Sequence, residues 1–274
     1  MGEPGNLRRR RLRFLRRRRS KNESQAMTIM EHLGELRRRL IFSLAAFVAV
    51  SIAAFFFFEP ILEVLLEPLC RLPDRLLGPQ GCTLSGFGPT EPFMVRIKVT
   101  AMVGLICSAP IWLYQIWAFV TPGLTPNEKR YALPFIASSV FLFAVGVTFA
   151  YLTLTPGLRF LIGLGEGVIT SFFRADAYLN FVGLMFIGFG MAFELPLLLF
   201  FLGLAGVVSV DQLRHHRRSA FVGIVALAAI VTPSQDPYTM LFMALPLYAL
   251  YEATIVLLRT VRKRQGKNAA GARL

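Results

Sequence analysis

Histidine, cysteine and acid are all scarce in this chain. Its 274 residues include three histidines: His32, His215 and His216, each in a basic segment. None lies in an apolar run where it could activate a serine, and no H-E-x-x-H pattern occurs. A Gly-rich phosphate loop and a CxxC pair are also missing. These absences argue against catalysis, and nothing calls for a metal or a cofactor. Three cysteines make no disulfide framework. Cys107 falls in an apolar run and reads as packing. Cys70 and Cys82 share one segment, and a bond between them stays open, because spacing does not supply the Cβ geometry. Acids number 16 against 30 Lys and Arg, for a net charge of +14. Gathered on one folded surface, that charge would suggest nucleic acid. Here it sits between apolar runs, as in the loops of a membrane protein, so nucleic acid is set aside. No internal repeat is visible, which weighs against an inverted-repeat transporter.

Apolar sequence is what the chain has in abundance. It is 55% hydrophobic, with a mean hydropathy of +0.56. That composition predicts an all-α, polytopic membrane protein. Six stretches qualify: 40–58, 93–120, 132–154, 179–204, 219–231 and 237–258. A helix needs about 20 residues to cross the hydrocarbon core. The fifth stretch has only 13, roughly 20 Å at the α-helical rise. Its flanks keep it: Arg214, Arg217 and Arg218 precede it, and TPSQDP breaks the helix after it. The last two helices are expected to be short if Glu252 marks the inner end of the sixth, forming a pair that thins the bilayer.

Charge sets the orientation. The N-terminal segment, 121–131, 205–218 and the tail from Arg259 carry more Lys and Arg than acid. The loop 59–92 holds five acids against two arginines, and 155–178 is neutral. Both termini are therefore expected in the cytosol. Residues 1–26 read as a disordered basic tail, with nine arginines between Arg8 and Arg19. It would lie on anionic headgroups at roughly 1 kcal/mol per basic residue, unless translation begins at Met27. A signal peptide does not fit its length, and no A-x-A site follows the first apolar run. The division is then 1–26 tail, 27–258 six-helix domain and 259–274 basic cytosolic tail.

Three acids stand in unusual places. Segment 28–40 can form an amphipathic helix, with Ile29, Leu33, Leu36 and Leu40 on one stripe and Glu31 and Glu35 on the wet side. Glu35 lies among Arg37, Arg38 and Arg39. It either receives a cation or simply pairs with Arg39 at i+4. Glu128, in TPGLTPNEKRY, is a loop carboxylate beside Lys129 and Arg130; a solvated side chain is its plain reading. Tyr114, Trp117 and Phe119 precede it and suit an interfacial aromatic belt. Glu194, in MAFELPLL, lies deep in the fourth stretch. A charge there costs roughly 2.5–3.5 kcal/mol on insertion scales, so it must face protein or water. Pro196 frees a backbone carbonyl nearby, which also needs a partner. Glu194 could dock another helix or relay protons.

Several separated motifs together resemble the TatC family, the multispanning receptor subunit of the twin-arginine protein translocase. They are HLGELRRRL before the first stretch, SAPIWLYQIWAFVTPGL at 108–124, FELP at 193–196 and TPSQDPYTMLFMALPLYALYE at 232–252. They occur in family order from about Met27 to Arg259. The resemblance implies a non-enzymatic receptor in the cell's inner (cytoplasmic) membrane. It would bind the twin-arginine signal peptides of folded cargo. It would work with single-span TatA- and TatB-type partners, in an oligomer whose stoichiometry stays open, driven by the proton motive force. Glu35 and Glu128 match the family's arginine-binding glutamates, with Arg37 and Phe119 beside them. Pro68, Pro110 and Pro196 match structural prolines. The resemblance also places Glu194 on a concave intramembrane face. Where the family often has a Ser-Gln pair after the TP turn, this chain has Thr239-Met240. Thr232 and Thr239 remain as candidate hydrogen-bond donors to a partner helix. The alternative is a proton-coupled small-solute transporter using Glu194.

Overall fold

The computed structural model describes residues 29–79, 81–120, 132–166, 172–233 and 236–271, without the side chains of 29, 31, 132 and 264–271. Ten helices lie among these residues: α1 Ile29–Phe56, α2 Phe58–Cys70, α3 Asp74–Leu77, α4 Glu91–Cys107, α5 Ala109–Val120, α6 Ala132–Gly163, α7 Ala175–Leu204, α8 Val210–His215, α9 Arg217–Val231 and α10 Pro237–Gly271. No strand occurs among them; a single bridge joins Ser85 to Arg174. The chain is therefore all-helical. Four helices are long and apolar enough to cross a membrane, and the α4–α5 pair makes a fifth if taken as one bent span. By internal contacts the chain divides between Phe42 and Ser43, inside α1.

α7 is the hub of residues 43–274. Lipid tails are as apolar as leucine, so helices inside a bilayer associate through close packing and hydrogen bonds rather than hydrophobic force. Glycine lets them approach. A Cβ on Gly146 of α6 would stand 2.7 Å from the carbonyl oxygen of Phe189, and one on Gly190 of α7 would stand 2.7 Å from the Phe143 ring. The stripe Ser139, Phe143, Gly146 and Ala150, at i, i+4, i+7 and i+11, is buried throughout. Gly188 and Gly203 admit Val231 of α9 and Leu258 of α10 in the same way.

The predicted second span is bent. α4 and α5 meet at 51°. Pro110 explains the break: it has no N–H to give in the first turn of α5. The carbonyl that residue 110 would reach in a continuous helix is that of Ile106; beside it, the Leu105 carbonyl accepts from the Ser108 hydroxyl at 3.3 Å and the Trp112 indole at 3.0 Å. Pro110 itself is exposed.

The predicted 59–92 loop contains α2 and α3. Ile61, Leu62, Leu65, Leu66 and Leu69 give α2 an apolar side, while Glu59, Glu63 and Glu67 are exposed. Three side chains pin α2. Tyr178 donates to the Leu65 carbonyl at 2.7 Å, Thr155 to that of Pro68 at 3.0 Å, and Tyr151 to Glu67 at 2.7 Å. The Tyr151 hydroxyl and Arg71 hold the Glu67 carboxyl below its ordinary range. Pro68 is buried within this helix. Cys70 is bonded to Cys82, with Cα atoms 4.9 Å apart, which closes the α2–α3 segment on itself.

The fifth and sixth stretches also differ from expectation in extent. α9 has 15 residues, still short of a full span. α10 has 35 and does not stop at Leu258. Arg217, at the start of α9, meets Glu252 at 2.6 Å. The apolar length shared by the two helices, from the 232–236 turn to this ion pair, is thus about 15 residues, roughly 22 Å.

The α6–α7 seam has a direct test. Gly146→Ala should push α6 off the backbone at Phe189 and Gly190, at a cost of about 1–3 kcal/mol. Thermal unfolding in detergent should show a lower Tm. An unchanged Tm would remove the seam from its central place.

Candidate functional site

The N-terminal acid lies on α1, which runs unbroken from the amphipathic segment into the first apolar stretch. Glu35 is half-buried. Its Oε1 accepts from Arg39, with Nε at 2.9 Å and Nη2 in contact as well. Its Oε2 is covered yet has no hydrogen-bond partner among the described residues. The i+4 pairing read from spacing is therefore formed, and it engages only one oxygen. Arg37 and Arg38 are exposed, and so are Leu33, Leu36 and Leu40 on the apolar stripe. Phe119 is half-buried, one residue before the end of α5. Glu128 and the 121–131 loop lie outside the described residues, as does the basic tail.

A second acidic site lies inside the helical hub. Glu194 on α7 accepts from the Ser139 hydroxyl of α6 at 2.7 Å, while its Oε1 is covered and has no partner among the described residues. Ser139 is fully buried. The carboxylate thus faces protein on one oxygen and retains acceptor capacity on the other. Pro196, two residues on, is buried, and its own carbonyl accepts from Thr254 of α10 at 3.2 Å. Sequence reading missed Ser139. Its signal was a serine pair, Ser138-Ser139, in an otherwise apolar run.

Two further candidate residues, Thr232 and Thr239, flank the connection between α9 and α10. Thr232 and Thr239 are fully buried. The Thr232 hydroxyl donates to the Ala228 carbonyl at 2.8 Å. Asp236 caps α10: it accepts from the Thr239 N–H at 2.8 Å and from the Thr239 hydroxyl. Both hydroxyls donate inside the chain. Asp236 is the residue that sequence reading passed over, although an Asp directly before a helix-opening Pro is a cap signature.

Long apolar helices, with a carboxylate held by a serine inside one of them, define a polytopic membrane protein. Comparison carries this further. The profile of the Sec-independent protein translocase protein (TatC) matches residues 31–246. A TatC of Frankia casuarinae is 42% identical over 241 residues, covering 86% of this chain and 66% of the relative. One of Aquifex aeolicus is 40% identical, covering 89% and 100%. A crystal structure described as the twin-arginine translocase receptor TatC in DDM superposes with a TM-score of 0.71 at 39% identity, over 83% of this chain and 99% of that one. The chain belongs to the TatC family, a family of protein transport and translocation, and it is a membrane protein.

Glu194 gives the prediction of this site. Ser139→Ala leaves the carboxylate with no described partner and should cost about 1–3 kcal/mol, read as a lower Tm. Glu194→Gln should be tolerated better than Glu194→Leu, since an amide still accepts from Ser139. Equal loss of export in both, with the fold intact, would instead point to a proton relay, since neither side chain titrates.

Proposed function

We propose that this chain is the signal-peptide receptor and core subunit of a twin-arginine export system. In this reading Glu35 and Glu128 bind the paired arginines of folded cargo, with Arg37 and Phe119 beside them. The observation that carries it is the Glu35 carboxylate: one oxygen rests on Arg39 and the other is uncommitted among the described residues. An incoming guanidinium that displaces Arg39 can take both oxygens. Arginine's planar fork suits a carboxylate in two-point contact, whereas lysine offers a point charge. Two glutamates would therefore prefer an RR pair to a KK pair.

The orientation proposed is N-in and C-in across the inner membrane. It is supported by the loop charges and by the Cys70–Cys82 bond in the acidic 59–92 segment, since disulfides persist in oxidising compartments. The domain organisation proposed is a six-helix unit over 27–258 between basic tails. In it the α9–α10 pair, bounded by Arg217–Glu252, thins the bilayer. Single-span TatA- and TatB-type proteins would assemble around it in an oligomer, with transport drawing on the proton motive force. Glu194, with its uncommitted oxygen, is the polar contact proposed for a partner helix. The second reading, a proton-coupled small-solute transporter using Glu194, rests on the same oxygen.

Peptide binding separates the two. Glu35→Ala and Glu128→Ala should each weaken an RR signal peptide about tenfold, the loss of one charge-assisted hydrogen bond. The wild type should prefer RR to KK. A double variant that binds as the wild type does, or indifference between RR and KK, would move the function to Glu194.

A further inference from the structure

Between α7, α9 and α10 lies a groove of about 330 Å³. Its walls include Pro196 and Leu199 of α7, Ala220, Gly223 and Leu227 of α9 and Tyr251 of α10. The lining side chains are hydrocarbon apart from the Tyr251 hydroxyl, which is already donated to the Leu213 carbonyl at 2.7 Å. Gly223 keeps one wall low, since a Cβ there would meet nothing within 4 Å. Its volume is several-fold below that of a membrane-spanning helix, about 10–12 Å across and 30 Å long. A single alkyl chain fits it.

One end of the groove is basic. Arg217 shares a stripe of α9 with Ala220 and Leu227, at i+3 and i+10. It neutralises Glu252, yet its Nε is covered and has no hydrogen-bond partner among the described residues. Arg259, on the stripe of α10 that holds Glu252, has a covered Nη2 in the same condition. Arg214 and Arg218 are exposed nearby in sequence. Asp211 on α8 and Glu252 on α10 are the acids of these segments, so Arg214, Arg217, Arg218 and Arg259 outnumber them four to two. Surplus guanidinium groups recognise phosphate oxygens through charge-assisted hydrogen bonds.

We propose that this groove holds one acyl chain of an anionic phospholipid, with the phosphate group at the Arg217 end. The shape selects a chain over a helix, and the rim selects an anionic headgroup over a zwitterionic one. The site does not depend on signal-peptide binding.

The test exchanges the purified full chain in detergent against phosphatidylglycerol or phosphatidylcholine of matched chain length, with retained lipid read by native mass spectrometry. Phosphatidylglycerol should be retained about tenfold over phosphatidylcholine. Gly223→Leu should reduce retention of both by filling the groove. Arg214→Gln with Arg218→Gln, both exposed, should bring phosphatidylglycerol down to the phosphatidylcholine level. These arginine variants carry the test if Gly223→Leu fails to fold. Equal retention of the two lipids by the wild type, or unchanged retention in folded Gly223→Leu, would overturn the proposal. Displacement of the lipid by inorganic phosphate at millimolar concentration would also overturn it, by reducing the site to an anion contact without a chain.

Discussion

The close seam between α6 and α7 is the constraint from which the rest of residues 43–274 follows. A carboxylate inside a membrane-crossing helix is tolerated only where a polar partner reaches it. Ser139 reaches Glu194 because Gly146 and Gly190 let the two helices approach to backbone contact one and two turns away. Larger residues at those positions would widen the gap and strand the carboxylate. Packing and polarity are thus one device: the glycines set the distance and the serine uses it. α7 repeats the device toward α9 and α10 through Gly188 and Gly203, which accounts for its burial on so many sides.

Charged groups mark the ends of the helices. Arg217–Glu252 closes one end of the α9–α10 pair, and Asp236 caps α10 at the other. Arg96 donates to the Phe55 carbonyl at 3.1 Å and stacks over the rings of Phe55 and Phe58, which joins the end of α1 to α4. Lys98 pairs with Asp176, tying α4 to the start of α7. Each of these residues meets a partner across a helix boundary. Glu35 pairs within its own helix: it holds Arg39 with one oxygen and keeps the other uncommitted among the described residues. Glu194 likewise keeps one oxygen uncommitted among them. These two half-used carboxylates are the groups from which the proposed function is built.

Much of this was legible in the sequence, for reasons that can be named. Apolar runs of sufficient length gave the long helices, because backbone satisfaction in lipid leaves helices as the natural solution. The Glu35–Arg39 contact was legible because i+4 spacing is local. Glu194 stood out because a carboxylate in an apolar run needs an explanation. What stayed hidden depends on distance or on competing signals. Ser139 meets Glu194 across 55 residues, and a single sequence carries no trace of that pairing. α2 was passed over because its acids were counted as loop charge, although Ile61, Leu65 and Leu69 hold a helical spacing. The bend at Pro110 was hidden within one continuous apolar run. The Asp236 cap on Thr239 was hidden because Asp236 was not weighed as a cap. The bond between Cys70 and Cys82 needed coordinates.

The central claim is that the carboxylates of Glu35 and Glu128 receive paired arginines. The most direct measurement is site-specific photo-crosslinking of a twin-arginine signal peptide to membranes carrying this protein, with probes at residues neighbouring Glu35 and Glu128. The account predicts crosslinks at both positions that vanish when the RR pair becomes KK. Crosslinks that persist with KK, or none at all from a folded and inserted protein, would contradict it.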